Sequence, residues 1–101
     1  MQINVQTMND KARMSLQGRF DFNAHREFRQ SYESLLAPTE VKEIEVDLGG
    51  VEYLDSSALG MLLMLREKAG ASQKQLALSN CHGTVRQVLD IANFDKLFSI
   101  R

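Results

Sequence analysis

Two hydrophobic rhythms alternate along the chain. In QINVQT, Ile3 and Val5 stand between polar neighbours, and in KARMSLQG the same two-residue period carries Ala12, Met14 and Leu16 up to Gly18. An apolar residue at every second position marks a strand with one buried face. The MND between these stretches supplies Asn9 and Asp10, which tolerate the backbone a tight hairpin requires. After GRFDF the period lengthens. Asn23 is a fair N-cap, and Phe28, Tyr32, Leu35 and Leu36 recur at helical spacing until Pro38. Alternation returns in VKEIEVDLGG with Ile44, Val46 and Leu48, where two glycines predict that the strand gives way to a turn. KQLALSN reads as a shorter strand with Leu76 and Leu78 on one side. Thr84 is placed to cap a helix through Val85, Val88, Leu89 and Ile91, and KLFSI predicts a short closing edge strand. Strands that alternate with helices imply right-handed crossovers. The expected fold is α/β, a mixed β-sheet of about five strands entered by an antiparallel hairpin, with helices packed on it.

YLDSSALGMLLML breaks both rhythms by setting an acid and two hydroxyls against a run that is almost wholly apolar. Asp55 and Ser56 are both good N-cap residues, so the polar triplet reads as the start of the second helix, with Ser57 in its first turn. At 100° per residue, Ala58, Met61, Leu62, Leu65 and Ala69 form one apolar stripe, while Leu59, Leu63 and Met64 fall on flanks that should meet water. Ser57 shares a face with Gly60, Met61, Met64 and Lys68, where glycine permits close approach and methionine adapts its shape to a partner. Ordinary capping accounts for the triplet on local pattern alone, and a neighbouring helix of the same domain is as good a cover for the apolar flank as a partner protein.

Composition narrows the choice of chemistry. With 101 residues, 44% of them apolar and 25% charged, the chain fits one globular domain spanning residues 1–101. A net charge of -1 with acids and bases interspersed leaves no basic face for nucleic acid. The start lacks the order of a secretory signal, and no apolar run approaches the ~20 residues that span a bilayer, so the expectation is a cytoplasmic protein without direct membrane insertion. A lone Cys81 agrees with a reducing compartment, and His25 and His82 follow no metal-ligand spacing. No metal site and no cofactor are expected. Ser57 with Asp21 and a histidine is a weak candidate for nucleophilic catalysis, because no G-x-S-x-G elbow surrounds it. The chain is read as a non-enzyme.

The order of elements, the GRFD that closes the second strand, the VDLGGVEYLDSSALGMLL core and the terminal VRQVLDIANFDKLFSI together resemble the STAS domain, the fold of bacterial anti-sigma factor antagonists. The likeness covers nearly the whole chain. It implies that Ser57, the second serine of Asp-Ser-Ser, is the residue a partner kinase phosphorylates, with Asp21, Asp55 and Ser56 beside it. Ala58 departs from the pattern, since many members have glycine there. The same resemblance implies partners: an anti-sigma factor/serine kinase of the histidine-kinase-like ATPase type, and a serine phosphatase, with or without a receiver domain. Ala58, Gly60, Met61, Met64 and Lys68 are the residues expected to meet the partner. Because STAS domains also serve as accessory subunits of membrane lipid-transport ATPases, that role is the alternative, and a phosphorylatable Asp-Ser-Ser argues modestly for the switch.

Overall fold

The computed structural model describes residues 1–101. Two antiparallel strands, β1 (Gln2–Met8) and β2 (Lys11–Phe20), open the chain. Asn9 turns the hairpin at a left-handed φ of 57°, a conformation asparagine accepts more readily than most residues. A 3-10 turn (Phe22–Ala24) leads into α1 (His25–Leu36), followed by β3 (Glu43–Leu54), α2 (Ser56–Ala71), β4 (Gln75–Ser79), α3 (Gly83–Ile91), a second 3-10 turn (Phe94–Lys96) and β5 (Ser99–Ile100). The strands lie in the order β1-β2-β3-β4-β5, with every pair after the first parallel.

Because the order advances in one direction, three crossovers of the same hand set all three helices on the same face of the sheet. Burial agrees. Phe28 of α1, Leu62 of α2 and Leu89 of α3 are fully buried in one cluster with Met14, Ile44 and Leu78 of the strands. The opposite face is polar, carrying Lys11, Arg13 and Ser15 of β2 and Glu43, Glu45 and Asp47 of β3.

On that polar face Glu45 is only 3% exposed. Lys11 Nζ lies 2.7 Å from its carboxylate and Arg13 Nε 3.2 Å, and the Ser79 hydroxyl donates to it at 2.6 Å. Burial works to raise the Glu45 pKa, but the hydrogen bonds from Lys11 and Ser79 and the charges of Arg13 and Lys11 outweigh it and hold the carboxyl below its ordinary value. A carboxylate depressed in the folded state adds stability above its unfolded pKa and loses that contribution as pH falls through the folded value. Urea melts from about pH 7 to about pH 3 should therefore show stability declining below roughly pH 4.5, and Glu45→Gln should flatten part of that decline. An unchanged acid limb in the variant would show that Glu45 is not responsible.

Several local expectations are corrected. β3 does not stop at its glycines but runs on to Leu54, with an irregularity in register against β2 at Ser15/Gln17. Gly50 is needed there because a Cβ would sit 2.9 Å from the Leu16 carbonyl oxygen, so this glycine marks close strand approach and not a turn. Asn23 caps nothing. Asp21 accepts its backbone N–H at 3.0 Å and so starts the 3-10 turn, while α1 begins after Ala24 without a side-chain cap. Thr84 lies inside α3, whose N-cap position is His82. Val5 and Ile91 are exposed, at 41% and 82%, because β1 is an edge strand and Ile91 ends its helix beyond the core. Only Ser99 and Ile100 of KLFSI pair with β4.

Candidate functional site

Neighbouring parallel strands deliver the site. Phe20 and Leu54 are register partners at the ends of β2 and β3, so the next residues, Asp21 and Asp55, emerge side by side at the same edge of the sheet. Asp55 N–H donates to the Phe20 carbonyl at 3.4 Å. From extended backbone, the Asp55 carboxylate accepts the Ala58 N–H at 2.9 Å, which fixes the first turn of α2. Asp21 performs the same service for the 3-10 turn and lies 3.7 Å from Arg19 Nε, whose guanidinium stacks 4.1 Å above the Tyr53 ring.

Ser56 is the first residue of α2 and exposed; Ser57 is the second and half-buried. Since β2 and β3 are parallel and each feeds a helix at the same edge, α1 and α2 run alongside one another. Between them lies a groove of about 560 Å³. Ser57, Gly60, Met61, Met64 and Lys68 form one wall, and Phe22, His25, Arg29 and Glu33 line the other, over Phe28 and Tyr32. Met64 is 48% exposed and Phe22 69%, whereas Met61, at 7%, contributes only floor.

The wheel face of Ser57, Gly60, Met61, Met64 and Lys68 is thus brought together along the groove, but Ala58, also expected to meet the partner, does not line it. Ala58 is fully buried, so its methyl belongs to the core and offers a partner no surface. Leu59, expected at the water, is half-buried against the core, while Leu63 is 39% exposed as the wheel implies. The α1 wall was not legible in the sequence, since it exists only where two helices separated by β3 meet. An exposed phenylalanine ahead of an amphipathic helix was the one available signal. His25 stacks near that ring, centroids 6.1 Å apart, and His82 places Nε2 3.0 Å from the Gly49 carbonyl. Burial, ahead of the charge of Arg86, which acts the other way, pushes the Cys81 thiol up, away from reactivity.

A one-sided α/β sheet with Asp-Ser-Ser at the strand-to-helix junction is the arrangement of a STAS domain. The family model described as "Mlab, STAS domain" matches residues 3–99, and the chain belongs to that family. A STAS-domain containing protein of Pseudomonas aeruginosa (strain UCBPP-PA14) is 49% identical over 87 residues, covering 86% of this chain and 84% of that protein. Solved structures share the fold. An anti-sigma factor antagonist from Mycobacterium paratuberculosis superposes with a TM-score of 0.86 at 21% identity, over 98% of this chain and 83% of that one. The Bacillus cell fate determinant SpoIIAA, solved in unphosphorylated and phosphorylated forms, gives a TM-score of 0.76 at 18% identity in each, over 99% of this chain and 87% or 91% of the other. No helix of the present chain is long and apolar enough to cross a membrane.

Proposed function

We propose that this STAS domain is a non-catalytic, phosphorylation-controlled interaction module of the anti-sigma factor antagonist kind. With Ser57 bare, it binds a serine kinase/anti-sigma factor of the histidine-kinase-like ATPase type through the α1–α2 groove. The kinase then transfers the γ-phosphoryl group of ATP: the Ser57 Oγ–P bond forms, the bond to ADP breaks, and the hydroxyl proton passes to a base of the kinase. A serine phosphatase returns the hydroxyl by hydrolysis to inorganic phosphate.

One observation carries the reading: Ser57 stands in the first turn of α2 on the wall of a groove that also exposes Met64 and Phe22. A phosphate there meets the free N–H groups and favourable dipole of a helix start, so the fold tolerates it. A partner packed in the groove does not, because the added charge of about -1.5 to -2 must be desolvated against apolar groups. SpoIIAA, which has the same fold, has been solved in both phosphorylation states, which supports a modification that leaves the domain folded.

Incubation with the cognate kinase and ATP followed by mass spectrometry tests the site, and a pull-down from cells tests the class of partner. Recovery of permease and transport ATPase subunits in place of a kinase would favour the transport alternative. A second measurement probes the groove. Met64→Asp should weaken kinase binding by at least ~10-fold yet shift stability by roughly 0.5 kcal/mol or less, as exposed substitutions usually do. A variant that fails to fold would show that Met64 is core.

A further inference from the structure

Phosphate on Ser57 would stand at the sheet edge from which Asp21 and Asp55 emerge, and neither carboxylate is closed off by a close cation. The Arg19 pair to Asp21 is long, at 3.7 Å, and Arg19 is also engaged over Tyr53. Compensation must come from elsewhere. Among the residues that line the groove with Ser57, the cationic or protonatable ones are His25, Arg29 and Lys68, against the single acid Glu33. Lys68 is eleven residues beyond Ser57 on α2, about 16 Å along the axis at ~1.5 Å per residue, too far for its side chain to reach back. His25 and Arg29 are one turn apart at the start of α1, which begins at the same sheet edge as α2.

Neither side chain is held by a strong contact. Arg29 is held only by an exposed pair to Glu33 at 3.6 Å, a kind of contact that contributes little, and His25 is exposed beside Phe22. A guanidinium matches phosphate with two parallel N–H donors, and an imidazole N–H adds a third.

We propose that His25 and Arg29 form an internal phosphate clamp: once Ser57 is phosphorylated they swing across the groove onto the phosphate and close the docking surface from within. The clamp rests on the reading of Ser57 as the modified serine. Phosphorylation then does more than repel a partner. It takes His25 and Arg29 out of a partner's reach, leaving only Lys68, and covers the groove's apolar floor.

The experiment needs no kinase, because phosphoserine is installed at position 57 of the full chain by codon suppression. Phosphorus NMR titration reads the second ionisation of the phosphate in this protein and in its His25→Gln/Arg29→Gln variant. Asp21, Asp55 and Lys68 are constant between the two. Glu33→Gln is made in both, because loss of Arg29 would release Glu33 from its pair. Both are titrated at about 0.5 M salt, which screens cations that are near the phosphate but not in contact with it. The expected result is ionisation at least about half a pH unit lower with His25 and Arg29 present, since cations favour the dianion. The Met64 methyl resonance should move distinctly further on phosphorylation in the protein that keeps His25 and Arg29 than in the variant, which carries the phosphate without the clamp. Equal phosphate ionisation in the two proteins overturns the clamp even where a kinase modifies Ser57 and the partner is released. A shifted ionisation combined with a kinase that ignores Ser57 leaves the clamp standing and overturns the regulatory reading instead.

Discussion

Ser57→Asp should lower affinity for the partner kinase by about 10- to 100-fold, and Ser57→Ala should bind as the bare protein does and never be released by ATP. The size follows from the charge. One carboxylate desolvated against Met61, Met64 and Phe28 costs a few kcal/mol, and each ~1.4 kcal/mol is a factor of ten. Aspartate carries less charge than phosphoserine and reaches less far, so the imitation should be incomplete. Stability should not suffer, because a negative group in the first turn of a helix is favourable by ~0.3–1 kcal/mol. The two serines give the sharper discrimination. Ser56 is the more exposed, but Ser57 lines the groove and Ser56 does not. Surface accessibility alone therefore favours Ser56, and docking through the groove favours Ser57. Phosphate found on Ser56, or on neither with a kinase proven active on a control substrate, would remove Ser57 from the switch.

What the sequence made legible was whatever one element decides by itself. The five apolar positions predicted to form the inner stripe of α2 are the five residues that α2 buries, because a helix of 16 residues repeats its period often enough to fix its own inward face. Asp55 could be read as a cap for a similar reason, since the cap and the N–H it accepts lie three residues apart. Legibility failed where two elements decide jointly. Gly49 and Gly50 look like a turn in isolation and are strand because Gly50 pairs closely with Gln17 of β2, while Gly49 lies beside Asp47 and Asn80. Lys74, the first residue of KQLALSN, lies just ahead of β4 and is buried, with its Nζ donating to the carbonyls of Pro38 and Val41 at 2.7 and 2.6 Å, partners more than thirty residues away that its own stretch could not reveal. The groove belongs to this second class. Its α2 wall could be drawn on a helical wheel, but its α1 wall depends on β2 and β3 being parallel neighbours.

That dependence makes Phe28 the residue on which fold and site meet. It is fully buried, with ring centroids 4.9 Å from Phe20 and 5.4 Å from Tyr32, and it also lines the groove. Phe20 ends β2 and Tyr32 lies one turn further along α1, so the three rings fasten the helix to the strand that precedes it. Truncation of a buried phenylalanine costs about 3–5 kcal/mol, out of a total stability of roughly 5–15 kcal/mol for a domain of this size. Phe28→Ala should therefore bring the urea midpoint down sharply and lower Tm by on the order of 15 °C. Phe28→Leu keeps much of the volume and should lose distinctly less. Partner binding separates two ways for the groove to fail. At a temperature where Phe28→Ala remains folded, its affinity should still fall, because the floor beneath Met64 and Phe22 has been hollowed and α1 is no longer held in place against α2. Retention of full affinity by folded Phe28→Ala would mean that the partner reads α2 alone, whereas a stability loss under about 1 kcal/mol would mean that α1 docks on the sheet without this ring.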